Sequence, residues 1–188
     1  MLILASASPR RHELLVSAGI PHVVQPTNVP ESIDPGEPPE AFVQRLARDK
    51  ASAAKRGPGE IVLGADTAVV VAGEVLGKPE NDADAARMLR LLSGRGHMVY
   101  TGICLLRDTV RVIDLASTKV FLLPLTEEEI AGYTRSGEPR DKAGAYGIQG
   151  LASKFVWSIE GCYHNVVGLP ISLVYKHLKA LGWPYARA

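Results

Sequence analysis

Apolar residues along the chain form continuous stretches and stretches with helical spacing, and the two kinds alternate. The continuous stretches predict strands at residues 2–5, 22–25, 61–71, 99–106, 110–122 and 155–159. Helical spacing and capping residues predict helices at residues 9–18, 40–55, 82–92, 127–136 and 170–181. A tight turn at residues 107–109 joins two strands as a hairpin, which adds antiparallel pairing. The pattern predicts an α/β fold, an elongated mixed β-sheet flanked by helices, in a single domain over residues 1–188.

Composition narrows the class of protein. Hydrophobic residues make up 46% of the chain and charged residues 22%, which is enough apolar material for a substantial core. The formal net charge of +1 provides no overall field for nucleic acid or an acidic membrane, so an anion site must be local. The N-terminus lacks a secretory signal pattern, and no apolar segment has membrane-spanning length. We therefore expect a soluble cytoplasmic protein without a nucleic-acid or membrane partner.

Other motifs exclude some cofactors and some nucleotide folds. Cys104 lies in an apolar run and is expected to be a buried free thiol. The sequence contains neither a Cys-x-x-Cys pair nor a His-Glu-x-x-His motif, so it gives no support for zinc. It also lacks a Walker A loop and a Gly-x-Gly-x-x-Gly fingerprint, which disfavours the standard mononucleotide and dinucleotide folds.

The five prolines within residues 26–39 predict an ordered or hinged loop.

The N-terminal segment has the features of an anion site. Ser8 is a good helix N-cap, and Pro9 suits the first helical position because its missing N–H would be unpaired there. The free amides of the helix start would point to the same place as the guanidinium groups of Arg10 and Arg11. Such an arrangement suits a phosphate chain, since arginine donors match phosphate oxygens. The alternative is a surface helix whose arginines are solvated.

Asp66 interrupts the apolar run at residues 61–71 and is a candidate for chemistry. A carboxylate in a buried strand is costly unless it is paired or binds a cation. Lys78 follows a predicted hairpin and can return toward the Asp66 strand, while Glu31 lies in the proline-rich loop. Two carboxylates with several cations are typical of a site for a Mg²⁺-bound phosphate substrate. The alternative places Asp66 outward at a strand edge or bulge.

A glycine-rich segment at residues 137–150 could contact a ligand through its backbone. Its four glycines allow a close approach and leave amides free. Lys142 adds a positive charge, and Gln149 offers a donor and an acceptor that suit a base edge. The alternative is a glycine-rich turn between a helix and a strand.

Together these motifs resemble those of the Maf family of nucleoside triphosphate pyrophosphatases, in the same order and over essentially the full length. The resemblance rests on Ala5-Ser6-Ala7-Ser8-Pro9-Arg10-Arg11, Glu31, Arg45-Leu46-Ala47 with Lys50, Gly64-Ala65-Asp66-Thr67 and Gly77-Lys78-Pro79. It continues with Ser93-Gly94-Arg95, His97, Tyr100-Thr101-Gly102, and residues 141–150 and 165–170.

The resemblance implies hydrolysis of a nucleoside triphosphate between the α and β phosphates, with a divalent cation, Mg²⁺ or Mn²⁺, as cofactor. It implies a fold like that of the inosine triphosphate pyrophosphatases, with two lobes around a cleft, and it suggests a homodimer. The branch that cleaves dTTP and UTP is distinguished by residues that fall at Arg11, Thr67 and Gln149. The methylated-GTP branch carries different residues, Gly-Ser-Asp-Gln and Ser-Glu-Gly, where this chain has Gly-Ala-Asp-Thr and Ile-Gln-Gly.

Residue roles follow from the resemblance and from the needs of the reaction. Asp66 falls at the position of the catalytic base, and it is expected to share the metal with Glu31. Attack on the α phosphate also requires cations around the triphosphate. The expected phosphate-binding residues are Ser8, Arg10, Arg11, Lys50, Lys78 and Lys142. Lys50 has an alternative position on a solvated helix face.

Two other functions remain open from the sequence. The chain could hydrolyse methylated or other non-standard nucleotides, or it could be a nucleotide-binding regulator of cell division in which hydrolysis is incidental. The family's association with cell-division arrest suggests the regulator. Asp66 is the discriminating feature, because a binding protein needs the cations but gains nothing from a carboxylate that faces a phosphate.

Overall fold

The computed structural model describes residues 1–184, and residues 185–188 of the predicted domain lie outside the described part. The strands in this part are β1 (Leu2–Leu4), β2 (Val23–Val24), β3 (Ile61–Val71), β4 (Glu74–Leu76), β5 (Gly96–Arg107), β6 (Val110–Leu122) and β7 (Val156–Glu160). The α-helices are α1 (Pro9–Ser17), α2 (Pro39–Ala53), α3 (Asp82–Leu92), α4 (Glu127–Arg135), α5 (Tyr163–Val167) and α6 (Ile171–Ala180). Three short 3₁₀ turns separate α4 from β7, at Glu138–Asp141, Ala143–Ala145 and Leu151–Phe155.

The strands form one mixed sheet in the order β2-β1-β3-β5-β6-β7, with β4 paired to β3. Strand β1 is parallel to both of its neighbours, and it is buried throughout, as expected for a strand covered on both faces. The hairpin partner β4 is antiparallel to β3, and β7 is antiparallel to β6. The predicted α/β class with a mixed sheet and flanking helices is confirmed.

Internal contacts divide the chain into two compact units. The first unit contains Met1–Asp66, Thr101–Ala116 and the chain from Gly168 onward, and the second contains Thr67–Tyr100 and Ser117–Val167. Strands β3, β5 and β6 each contribute residues to both units. The single domain over residues 1–188 and the cleft between two lobes remain predictions.

Helix α2 packs closely on the sheet in the first unit. Its alanines lie against β1, β3 and β5 in an apolar cluster that includes Ile3, Val62 and Cys104. A Cβ added to Gly64 would lie 2.1 Å from the carbonyl oxygen of Ala47, and one added to Gly102 would lie 2.4 Å from that of Val43. The helix backbone therefore occupies the space that side chains would fill on two strands.

The second unit is built on α3 and α4. Their buried faces share an apolar cluster with strand residues such as Val69, Val99 and Val120. Both helices begin as their sequences predict. The side chain of Asn81 accepts a hydrogen bond of 2.9 Å from the Asp84 amide, and Thr126 forms a capping box with Glu129.

Strand β3 covers the predicted residues 61–71 without a break, because Gly64 makes room for α2 and the Asp66 carboxylate is paired. Ser8 lies at the predicted N-cap position of α1, but its side chain makes no capping hydrogen bond. The hydrophobic pattern does not predict α5 or the 3₁₀ turns, because each is too short to establish a period.

The proline-rich loop is free of helix and strand from Pro26 to Pro38, and α2 begins at Pro39, one residue earlier than predicted. Within residues 1–184, no helix combines the length and the apolarity that crossing a bilayer requires.

Candidate active site

Three charged side chains meet in the first unit. The Nζ atom of Lys50 lies 2.6 Å from Oε1 of Glu31 and 2.6 Å from Oδ1 of Asp66. Lys50 is 7% exposed and Asp66 is 9% exposed, whereas the Glu31 side chain is 53% exposed. The structure therefore brings together both predicted metal ligands and one predicted phosphate-binding residue. Lys50 does not lie on a solvated helix face, and Asp66 does not point outward.

The packing of α2 explains why Lys50 reaches Asp66. The buried stripe of this helix contains Val43, Leu46 and Ala47, and Lys50 occupies the next position of the same stripe. On β3, Gly64 and Asp66 are two residues apart and so point to the same face of the sheet. Because Gly64 lets α2 approach that face, a lysine at the end of the stripe is directed at the carboxylate.

Arg45 fixes the loop that carries Glu31. Its Nε atom donates a hydrogen bond of 2.7 Å to Oε1 of Glu37, and its Nη2 atom donates one of 2.6 Å to Oε2. Nη2 also donates to the carbonyl oxygen of Ser32 at 2.9 Å. Ser32 follows Glu31, so these bonds hold Glu31 close to Lys50. The role of Arg45 was not predicted from the sequence, although Arg45 stands in the same motif as Lys50.

Arg11 is buried and bonded to three parts of the first unit. Its Nε atom donates to the carbonyl oxygen of Gly168 at 2.8 Å. Its Nη1 atom donates to Oγ of Ser6 at 3.1 Å and to the carbonyl oxygen of Ala65 at 2.9 Å. The guanidinium thus connects the segment before α1, strand β3 and the turn before α6.

Arg11 has charged neighbours of both signs. Burial lowers the pKa of Arg11, the carboxylates of Asp66 and Glu31 raise it, and the positive charge of Arg10 lowers it further. The last effect places two guanidinium groups within repulsion distance at the start of α1, where helix amides also point. An anion would relieve that repulsion. Ser8 and Arg10 are both half-buried at this helix start.

The remaining predicted site residues belong to the second unit. The Gly144 amide donates to the carbonyl oxygen of Gly77 at 3.0 Å, which holds the glycine-rich segment beside the residue before Lys78. Lys142 donates to the carbonyl oxygen of Glu138 at 2.7 Å and to Asp141 at 2.8 Å. Lys78 and Gln149 are exposed, and Thr67 is half-buried.

Two buried tyrosines hold the glycine-rich segment. The hydroxyl of Tyr146 lies 2.8 Å from Nε2 of His97, and the hydroxyl of Tyr133 accepts a hydrogen bond from the Gly147 amide at 3.2 Å. Tyr133 in turn donates to Glu138 at 2.9 Å. Burial raises the pKa of Tyr146 and lowers the pKa of His97 to about 4, so this pair is neutral at pH 7. The sequence pattern identified neither tyrosine.

The donor set of the first unit suits a hard cation. Glu31 and Asp66 supply carboxylate oxygens, which Mg²⁺ and Mn²⁺ prefer. Within residues 1–184, no group of three or more His, Cys, Asp or Glu side chains is placed to hold a metal ion. Mg²⁺ commonly binds through one or two carboxylates together with substrate phosphates and water. The two carboxylates therefore fit a cation whose other ligands are water and, once the substrate is bound, phosphate oxygens.

The chain is similar to known proteins over nearly its whole length. The family described as "Maf-like protein" matches residues 1–181. A relative from Koribacter versatilis named "dTTP/UTP pyrophosphatase" is 53% identical over 182 residues, covering 96% of this chain and 94% of the relative. One of the same name from an Anaeromyxobacter species is 50% identical over 188 residues, covering 97% and 90%.

Among solved structures, the Ham1 protein of Staphylococcus aureus is similar with a TM-score of 0.55 and 14% identity, over 95% of this chain and 98% of that one. A HAM1 protein from Coxiella burnetii is similar with a TM-score of 0.51 and 17% identity, and the match covers 95% of this chain and 98% of that one. At these identities the likeness is one of fold, and it agrees with the predicted fold class.

Proposed function

The chain belongs to the Maf-like family, and we propose that it is a nucleoside triphosphate pyrophosphatase that hydrolyses dTTP and UTP to the nucleoside monophosphate and pyrophosphate. The observation that carries this proposal is the buried Asp66 carboxylate, held with Glu31 on one lysine beside the arginine-rich start of α1. Burial of a carboxylate is costly, and its position beside a set of cations suits chemistry on a phosphate.

Asp66 serves as the base in this proposal. Its carboxylate orients the attacking water toward the α phosphate and takes a proton from it. A divalent cation, Mg²⁺ or Mn²⁺, held by Glu31 and Asp66 would neutralise charge on the non-bridging phosphate oxygens. Lys50 lies between the two carboxylates and can offer its ammonium group to the same phosphate.

The start of α1 binds the phosphate chain. Ser8 and Arg10 offer side-chain donors there, at the positive end of the helix dipole. Arg11 adds its positive charge, while its bonds to Ser6, Ala65 and Gly168 keep the surrounding backbone in place. These groups stabilise the pyrophosphate as it departs with developing negative charge.

The other residues that the family resemblance assigns to the substrate fall in the second unit. Lys78 and Lys142 are assigned to the phosphates, and Thr67 and Gln149 to the base, as the family resemblance implies. The network of Tyr133, Tyr146 and their partners supports these assignments, because it fixes the backbone on both sides of Gly147.

Two further assignments belong to the same proposal. The reaction is assigned to the cytoplasm, because Cys104 and Cys162 are both free thiols and nucleoside triphosphates are cytoplasmic metabolites. A homodimer is the proposed assembly, and sedimentation of the purified protein tests it.

A product assay tests the function. The purified chain is incubated with Mg²⁺ or Mn²⁺ and with UTP, dTTP, CTP, the purine triphosphates and 7-methyl-GTP, and both phosphate products are measured. We expect pyrophosphate and monophosphate, with UTP and dTTP as the best substrates. Nucleoside diphosphate with inorganic phosphate would place the attack at the γ phosphate and contradict the mechanism. Tight nucleotide binding without any product would favour the regulator.

A further inference from the structure

Lys50 holds the same two carboxylates that are assigned to the divalent cation. Its ammonium nitrogen lies 2.6 Å from one oxygen of Glu31 and 2.6 Å from one oxygen of Asp66. A Mg²⁺ ion binds carboxylate oxygens at about 2.0–2.1 Å. A cation on these two oxygens would overlap with the ammonium group, so the two cannot occupy the position together.

We propose that Lys50 and the divalent cation exchange on Glu31 and Asp66, so that cation entry displaces the ammonium group from the carboxylates. This inference rests on the proposed function, since it assigns the cation to these two residues. Lys50 is then an internal competitor, and it sets the cation concentration at which the site fills.

Charge and burial favour such an exchange. The two carboxylates together carry a charge of −2, which matches a divalent cation better than a single ammonium group. Once displaced, the Lys50 side chain cannot stay without acceptors, because it is only 9% exposed and a buried unpaired ammonium is costly. The phosphate oxygens of the substrate are acceptors of the required charge, so cation entry prepares Lys50 to bind the substrate.

The exchange requires only the Lys50 side chain to move, because other contacts hold the two carboxylates. The loop that carries Glu31 is tied to Arg45 through Glu37 and Ser32, independently of Lys50. The position of Asp66 is set by β3. The two carboxylates therefore stay near each other when the ammonium group leaves, and only a flexible lysine side chain has to move.

Cation binding to the full-length protein tests the competition. The affinity for Mn²⁺ is measured by titration calorimetry in the wild type, in Lys50→Met and in Lys50→Gln, with the exposed Lys55→Met as the matched control. We expect both Lys50 variants to bind Mn²⁺ about tenfold more tightly or better, because a contact-distance competitor and its repulsion are removed. Lys55→Met should stay within about twofold of the wild type. Equal or weaker binding in both Lys50 variants would overturn the proposal.

The displacement of Lys50 from the two carboxylates can be followed through the NMR signal of its ammonium group. Nitrogen-detected NMR of lysine side chains follows the Lys50 ammonium signal, which is assigned by its loss in Lys50→Met. We expect saturating Mg²⁺ to shift this signal and to speed its hydrogen exchange, since the contacts of the ammonium group with both carboxylates are lost. A signal that is unchanged at saturating Mg²⁺ would overturn the exchange.

These outcomes separate the inference from the proposed function. Tighter Mn²⁺ binding in the Lys50 variants without pyrophosphate release from UTP by the wild type would contradict the proposed function alone. Normal pyrophosphate release with unchanged Mn²⁺ affinity in those variants would contradict the exchange alone.

Discussion

The Nη1 atom of Arg11 donates a hydrogen bond of 2.9 Å to the carbonyl oxygen of Ala65, the residue directly before Asp66. The guanidinium thereby holds the backbone from which the proposed base projects. The same nitrogen also donates to Ser6. One guanidinium group therefore holds both the segment before α1 and the backbone beside Asp66 in place. This relationship gives Arg11 a positioning role in addition to its charge.

Replacing Arg11 with lysine tests that role. Lysine keeps the positive charge but loses the planar fork that reaches Ala65, Ser6 and Gly168 together. We expect kcat for UTP to fall about 10- to 100-fold, since a small displacement of a catalytic group is costly, while KM changes less. Steady-state kinetics and thermal unfolding measure the effect, with the half-exposed Arg48→Lys as control. A raised KM with normal kcat would instead identify Arg11 as a simple phosphate contact.

Asp66→Asn should abolish most turnover and keep the fold. Asparagine has nearly the same shape but cannot accept the proton, and a positioned general base contributes about 10²–10⁴ in rate. Nucleotide binding should be unchanged or tighter, because the repulsion between carboxylate and phosphate is removed. Pyrophosphate release and equilibrium UTP binding are measured beside Asp49→Asn, a more exposed carboxylate on α2. Near-normal turnover by the folded variant would mean that Asp66 is not the base.

Gln149→Ala should reduce the preference for UTP over CTP. Uracil presents an N3–H donor beside a 4-oxo acceptor, which a side-chain amide can match, and cytosine reverses this pattern. A mismatch leaves polar groups unpaired, so the loss of the amide should bring the UTP/CTP ratio of kcat/KM toward unity. Gln44→Ala, on α2, is the control. If the wild type already hydrolyses CTP as well as UTP, the assignment of Gln149 is wrong.

Stability should depend on pH through His97. Burial lowers the pKa of His97 to about 4, whereas an unfolded histidine binds a proton below about pH 6.5. The unfolded state therefore binds more protons between these values, and folding stability falls as the pH drops from about 6.5 to 4, by on the order of 3 kcal/mol.

The variant His97→Gln removes that proton binding. We expect urea unfolding to show a smaller loss of stability between pH 7.5 and pH 4.5 in His97→Gln than in the wild type. The exposed His164→Gln should behave like the wild type. Parallel pH profiles for wild type and His97→Gln would contradict the assignment of this loss to His97.

Local signals explain which parts of the fold could be predicted. Asn81 and Thr126 cap helices through bonds to residues three positions away, so their sequence context contains the whole interaction. Ser8 lies at its predicted N-cap position, but its side chain makes no capping hydrogen bond. Its amide donates to Oγ of Ser6 at 3.2 Å, and that hydroxyl also accepts from Arg11, a partner that local helix rules do not include.

The site depends on contacts that the sequence alone does not specify. The interrupted apolar run singles out Asp66, but its partner Lys50 precedes it by sixteen positions and lies on a helix. A lysine on a helix can point to solvent or bury its stem and pair its ammonium group. Only the packing of α2 decides that Lys50 is buried. The hydroxyl contacts of Tyr133 and Tyr146 likewise join distant segments, and an aromatic residue in an apolar pattern carries no sign of a polar partner.

Gly64 and Gly102 have a consequence for how mutational data on this chain should be interpreted. In a saturation library selected for activity, every substitution at either position adds at least a methyl group where the α2 backbone lies. The helix would have to move outward, and Lys50 would move with it. Both positions should therefore score as intolerant as Asp66 although neither has a reactive group. The cause would be the larger distance between α2 and the sheet. The variants at these two positions should therefore be soluble and folded but inactive.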